Sequence, residues 1–192
     1  MPGHKAPEEH RRKEILRAAY EVAARQGVEA ITVRAVAERA AVSHGTVLFH
    51  FNKRDKLIDS LLDTVLDATT VLRVSADIER LTRPAEQLRA LLWAEMERLS
   101  DDPRHFRLFL EYWALGVRST AIRRKVSGAI ERYRSAFRAI AESLVGPDGV
   151  AAVAVSFIHG CALQAVIDPK TFSVQQHFDT AARMLNGLSV EG

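Results

Sequence analysis

The stretch from Thr32 to Leu57, TVRAVAERAAVSHGTVLFHFNKRDKL, holds two short apolar-periodic runs separated by a tight break. In the first, Val33, Val36, Ala37 and Ala40 recur at helical spacing, and Thr32 before them is a good N-cap. That run stops near Ala41, and Ser43 can cap a second short helix through His50. The turn Ala41-Val42-Ser43 between them gives the spacing of a helix-turn-helix. Val36, Ala37, Val42, Val47 and Phe51 can close a small core, which leaves His44, Gly45, Thr46 and Phe49 pointing outward. At about 1.5 Å per residue the second helix is about 10 Å long, a size that enters a DNA major groove about 12 Å wide.

Ile15, Ala18, Ala19, Val22 and Ala23 form one apolar stripe on a preceding helix that Gly27 ends. A fourth helix begins near Arg54, with Leu57, Ile58, Leu61, Leu62, Val65 and Leu66 as its apolar face. Thr82-Arg83-Pro84 opens a helix to about Ser100, and Asp101-Asp102-Pro103 starts another carrying Phe106, Phe109, Tyr112 and Trp113. A long amphipathic helix is expected from about Ser119 to Val145, then a turn at Gly146-Pro147-Asp148-Gly149. Helices over about 149–167 and 174–187 follow, separated by Asp168-Pro169. No strand pattern interrupts the series. The expected fold is all-α: an N-terminal three-helix helix-turn-helix domain over 9–57 and a larger helical body over 58–192.

The chain has 192 residues, 47% hydrophobic and 27% charged, a balance that folds rather than staying disordered. Cys161 is its one cysteine, which excludes an internal disulfide framework and a cysteine-rich zinc module and fits a reducing cytoplasm. The beginning, MPGHKAPEEHRRKEILRAAY, is charged where a secretion signal needs an apolar run, so a cytoplasmic location is expected. The net charge of +3 is uneven: residues 1–57 hold 11 Lys and Arg against 7 Asp and Glu, and the remainder holds 16 against 17. A charge of this size does not by itself identify a nucleic-acid partner, but it marks the same segment as the motif. No HExxH, GxGxxG, P-loop or GxSxG occurs, so neither catalysis nor a cofactor is expected. His44 and His50, six apart, are wrongly spaced to share a metal on one helix face.

Gly149 to Ile167 reads GVAAVAVSFIHGCALQAVI, without a formal charge and long enough to span a bilayer. Ser156, His159, Gly160 and Gln164 interrupt it, and neither a basic cluster nor an aromatic belt flanks it. The expectation is a helix packed on its own bundle with one face and on a second subunit with the other, with no membrane. The last two helices, about 149–167 and 174–187, would then make a homodimer.

The motif resembles that of the TetR family of transcriptional regulators. The resemblance rests on Thr32, Val36-Ala37, Ala40-Ala41-Val42-Ser43, Gly45-Thr46-Val47-Leu48, His50-Phe51 and Arg54-Asp55-Lys56-Leu57. The body, including LFLEYWALGVRSTAIRRKV, is loosely similar to that of the family's betaine-type regulators. The resemblance implies operator DNA as partner and Thr32, Arg34, Ser43, His44, Gly45, Thr46, Leu48, Phe49, His50, Lys53 and Arg54 as its contacts. Arg34 would reach a guanine edge or a phosphate, Phe49 a thymine methyl, and Arg54 with Lys53 a phosphate. His50 would support the motif or touch the DNA backbone. Three features depart from the family pattern: Ala41 stands where the turn usually has glycine, and Leu48 and Phe49 replace a tyrosine pair. Affinity then leans on Arg34, Lys53, Arg54 and on Arg11, Arg12 and Lys13.

The resemblance also implies a small-molecule pocket in the body, for which Trp93, Met96, Phe109, Tyr112, Trp113, Phe137, His159 and Gln164 are the candidates, although residues of these types are often plain core. His159 and Gln164, on a charge-free helix, would need partners if buried. Cys161 reads as a small core residue. The expected function is a ligand-released repressor. The alternative is a helical ligand-binding or scaffold protein that keeps the fold without reading DNA.

Overall fold

The computed structural model describes residues 5–70, 76–101, 103–142 and 147–186, and all regular structure there is helical. The helices are α1 Lys5–Gln26, α2 Val33–Ala40, α3 His44–Phe51, α4 Arg54–Thr70, α5 Ala76–Glu79, α6 Pro84–Asp101, α7 Pro103–Arg118, α8 Thr120–Ala141, α9 Pro147–Ile167 and α10 Val174–Asn186. A 3-10 turn, Val28–Ala30, joins α1 to α2 and has no counterpart in the sequence expectations. Asp102, the end of the expected long helix at Val145, Gly146 and Gly187 lie outside the described residues. Pro147, Asp148 and Gly149, expected in a turn, instead form the first turn of α9. Proline suits that place because the first helical N–H has no partner inside the helix.

The chain divides into two compact units, Met1–Thr69 with Arg107–Val126, and Thr70–Phe106 with Ser127–Gly192. The first therefore holds the helix-turn-helix together with α4, most of α7 and the start of α8. Its centre is Ile15, Ala19, Ile31, Val36, Val47, Leu57, Leu61 and Leu62, all fully buried. Polar ties fix α4, α7 and α8 around it. Glu111 on α7 accepts the Val28 amide at 2.7 Å, and Arg107 donates to Ala24 O at 3.1 Å. Tyr112 donates its hydroxyl to Ile58 O at 3.1 Å, and burial, then the Glu111, Asp59 and Asp63 carboxylates, raise its pKa far above the ordinary phenol range. Lys125 on α8 pairs with Asp59 at 2.7 Å and Asp63 at 2.8 Å. Burial pulls its ammonium down, but the hydrogen bonds to both aspartates outweigh it and leave the pKa raised.

The second unit is built on Leu88, Leu91, Leu92, Met96 and Leu99 of α6 against Tyr133 and Phe137 of α8 and Ala151, Val155, Ile158 and Ala162 of α9. Inside it, Glu95 is buried and accepts the Tyr133 hydroxyl at 2.6 Å, with Arg98 as its ion partner. A buried carboxylate persists only with such company. His159 lies beside Tyr133, ring centres 6.0 Å apart, and burial, aided by the Arg134 charge, lowers its pKa to about 4. Because that value lies below the ordinary 6.5, the unfolded chain takes up a proton across this interval that the folded chain refuses. The stability His159 lends is therefore complete above the ordinary value and lost as the pH falls towards 4. Urea unfolding of His159→Phe is expected to lack about 3 kcal/mol of the wild-type decline over that interval. Parallel curves for the two proteins would refute it.

Candidate nucleic-acid interface

The recognition segment is held by side-chain caps. Thr32 Oγ1 accepts the Ala35 amide at 3.0 Å to start α2, and Ser43 Oγ accepts the Thr46 amide at 3.0 Å to start α3. The Ser43 and Thr46 hydroxyls also bond to each other at 2.9 Å. Between the helices Ala41 sits at φ 52°, ψ 44°, with its amide bonded to Ala37 O and Glu38 O. This left-handed conformation suits glycine, and a Cβ there costs roughly 1 kcal/mol. Ala41→Gly is accordingly expected to stabilise the protein by about 1 kcal/mol, read as a melting temperature higher by about 2–4 °C. An unchanged or lower value would contradict that reading.

Val36, Ala37, Val47 and Phe51 are buried as the periodicity predicts, whereas Val42 is half-buried. On the outer side of α3, His44, Gly45, Leu48 and Phe49 are exposed, and Thr46 and His50 are half-buried. Phe49 is 74% exposed and meets the His50 ring edge-on at 5.2 Å. A Cβ added at Gly45 would meet only Ser43 Oγ, at 3.6 Å, so packing does not demand glycine there. Arg34 is exposed on α2 and bonded to Glu38 at 3.0 Å. Lys53 is exposed in the link to α4.

Two of the expected phosphate ligands have other work. Arg54 donates from Nε to Ile31 O at 2.5 Å and from Nη2 to Glu29 O at 3.2 Å, tying the start of α4 to the 3-10 turn. Arg12 stacks over Phe51 at 4.8 Å and bonds Ser60 Oγ at 2.9 Å. Both guanidiniums hold the motif in place.

The candidate ligand residues are distributed. Phe109, Tyr112 and Trp113 belong to the first unit, and Trp93, Met96, Phe137, His159 and Gln164 to the second. Met96 and Phe137 are packed in the core, and half-buried Trp93 meets Phe178 edge-on at 4.8 Å. Gln164 lies exposed on the outer face of α9 and donates to Gly160 O at 3.4 Å. A small groove of about 330 Å³ includes Gln164 with Leu163, Ile167, Asp168, Thr171, Phe172 and His177. Cys161 is buried, which pushes its thiol up to about 11. No cluster of His, Cys, Asp and Glu fit for a metal occurs among the described residues.

With this geometry in view, residues 15–61 match the model of bacterial regulatory proteins of the tetR family, and residues 84–189 match that of the BetI-type transcriptional repressor C-terminal region. The chain belongs to the TetR family. It is thus a member of a family of transcriptional regulators. Among relatives of this TetR-family chain, the regulator HbdR of Aromatoleum sp. (strain CIB) is 35% identical over 86 residues, 45% of this chain and 37% of that protein. The repressor KstR2 of Mycobacterium tuberculosis is 32% identical over 87 residues, 45% of this chain and 43% of that protein. The regulator BetI of Stenotrophomonas maltophilia is 26% identical over 122 residues, 62% of this chain and 61% of that protein. The match to HbdR and KstR2 therefore spans less than half of either protein's length. A transcriptional regulator from Rhodococcus sp. Rha1 has the same fold, with a TM-score of 0.80 at 24% identity over 94% of this chain and 99% of that one.

Proposed function

We propose that this chain is a homodimeric repressor that reads an operator through α3 and is released from it by a small molecule. The observation that carries the reading is the outer face of α3, where a bare Gly45 and exposed His44, Leu48 and Phe49 stand on a helix capped by Ser43 and anchored in the core by Val47 and Phe51. An ordinary surface helix has no use for an unpacked glycine and an uncovered phenylalanine one turn apart. Base edges would meet His44, Gly45, Thr46, Leu48 and Phe49, while Thr32, Arg34, Ser43, His50 and Lys53 would contact the backbone. Arg54 serves this interface by holding α4 in place. The test is a gel shift with duplex DNA from upstream of the protein's own coding region across a salt series. Affinity should fall linearly with salt on logarithmic axes, in proportion to the phosphates neutralised. No shift at low salt would overturn the proposal.

The dimer contact we assign to α9 and α10. Past Asp148, α9 is long and apolar enough to cross a membrane, but its inner face lies in the core of the second unit. Its outer face carries Val153, Ser156, Gly160, Leu163, Gln164 and Ile167, with Val153 69% and Ile167 74% exposed. A second copy covers such a stripe without exposing the inner face to lipid. A cytoplasmic location goes with this proposal, and cell fractionation checks it. Trp93 and His159 remain the candidates for ligand contact in the second unit, and a thermal-shift screen of metabolites addresses them, because a ligand raises the stability of the native state.

A further inference from the structure

The first unit carries a groove of about 910 Å³ that nothing in the sequence pointed to. It runs between the N-terminal half of α4, the 3-10 turn and the corner where α7 passes into α8. All of its lining belongs to that unit, whereas Trp93 and His159, the ligand candidates above, belong to the other. Small-molecule sites usually enclose roughly 300–1,000 Å³, so the size fits. Val28, Ile58, Leu62, Leu115 and Ile122 give the groove an apolar lining, of which Ile58, Leu115 and Ile122 are only half-buried. Hydrocarbon laid against that wet apolar surface gains free energy.

Lys53, Arg54 and Lys56 also line it, and among the described residues no ion pair holds any of the three. Arg54 is bonded to the carbonyls of Glu29 and Ile31, which leave its charge uncompensated. Opposed to them are Glu29, Asp55 and Asp59, but Lys125 already holds Asp59 at 2.7 Å. Three cations therefore face two uncommitted carboxylates, and the exposed ammoniums of Lys53 and Lys56 ride on flexible stems that can turn to an anion. The walls are fixed beforehand. Arg54 ties α4 to the 3-10 turn, Lys125 ties α8 to α4, and Arg123 closes the α7–α8 corner on Gly116 O at 3.0 Å. A preformed groove spares a ligand the cost of ordering it.

We infer that this groove is a small-molecule site separate from the second unit, and that it takes an amphipathic anion. The apolar body lies against Ile58, Leu115 and Ile122, and the anionic head meets Lys53 and Lys56. The inference goes beyond the proposed function and does not depend on DNA reading.

The probe is anilinonaphthalene sulfonate, two apolar ring systems bearing one sulfonate, whose fluorescence rises in apolar surroundings. Titrated into the full-length protein, it should bind saturably. Lys56→Glu, at an exposed position, should weaken that binding about 10-fold as attraction gives way to repulsion. Ala121→Trp, also exposed, fills the groove from the α8 side and should abolish it. Phenylnaphthylamine, the same rings without the sulfonate, should likewise be excluded by Ala121→Trp but be indifferent to Lys56→Glu. Thermal unfolding checks that both variants fold, and if Ala121→Trp does not, the two probes on Lys56→Glu decide alone. Absence of saturable binding, or binding that neither substitution changes, would overturn the inference. So would equal weakening of both probes by Lys56→Glu.

Discussion

Gly45→Glu is expected to abolish operator binding, by about 100-fold or more, while leaving the fold as stable as before. The two halves of this result have separate physical causes. On the fold side, the position is exposed and a Cβ would meet nothing closer than Ser43 Oγ at 3.6 Å. The backbone is helical, and glycine inside a helix costs up to about 1 kcal/mol relative to ordinary residues. Residue 45 also lies in the first turn of α3, where a carboxylate interacts favourably with the helix dipole. The melting temperature should therefore hold or rise. On the DNA side, a glutamate would fill the space through which the backbone approaches the bases and would set a negative charge against phosphates. Gly45→Ala should lose less, because it adds bulk without charge. Gel shifts alongside thermal unfolding check the prediction, and affinity within about 3-fold of wild type would remove α3 from the interface.

Why the exposure of Gly45 is legible in the sequence, while the backbone partners of Arg54 and the buried place of Glu95 went unread, follows from what each depends on. Local signals were legible: Thr32 and Ser43 are caps whose partners lie three residues on, and Ala35 and Thr46 do bond them. The exposed side of a short helix likewise follows from its apolar spacing, so His44, Gly45 and Phe49 fell where the periodicity places them. The partners of Arg54 and Arg12 are fixed by tertiary packing. The carbonyls of Glu29 and Ile31 reach Arg54 only because a 3-10 turn bends the chain back, and that turn leaves no periodic trace in three residues. Glu111 capping Val28 across the fold is equally invisible to a local reading. Glu95 did leave a signal, since it occupies the apolar slot of α6 among Leu88, Leu91, Leu92 and Leu99. A charged residue on an apolar stripe points to a buried partner, here Tyr133. The helical nature of the body was likewise legible, but not that Arg107–Val126 packs with the N-terminal segment.

Charge placed on the outer face of α9 is expected to leave a folded monomer that has lost most of its grip on the operator. Val153 and Leu163 stand on that face about three turns apart. Neither belongs to the core on the inner side, so Val153→Asp with Leu163→Glu should not disturb Ala151, Val155, Ile158 or Ala162. An apolar stripe of this kind on a solvent-facing helix marks a contact surface, and desolvating carboxylates without partners within it costs several kcal/mol. Light scattering after gel filtration should give a dimer for the wild type and about half that mass for the double variant. The loss of DNA affinity then follows from effective concentration. Two heads held on one dimer bind successive half-sites with the second step intramolecular, a gain of about 100- to 10,000-fold over a single head. The monomeric variant should forfeit that gain yet keep its preference for the same half-site, because α3 is unaltered. A wild type that is monomeric at micromolar concentration would sink the assignment of α9 to the dimer, as would a double variant that still dimerises. Loss of half-site preference along with affinity would instead show that the substitutions had damaged the reading helix.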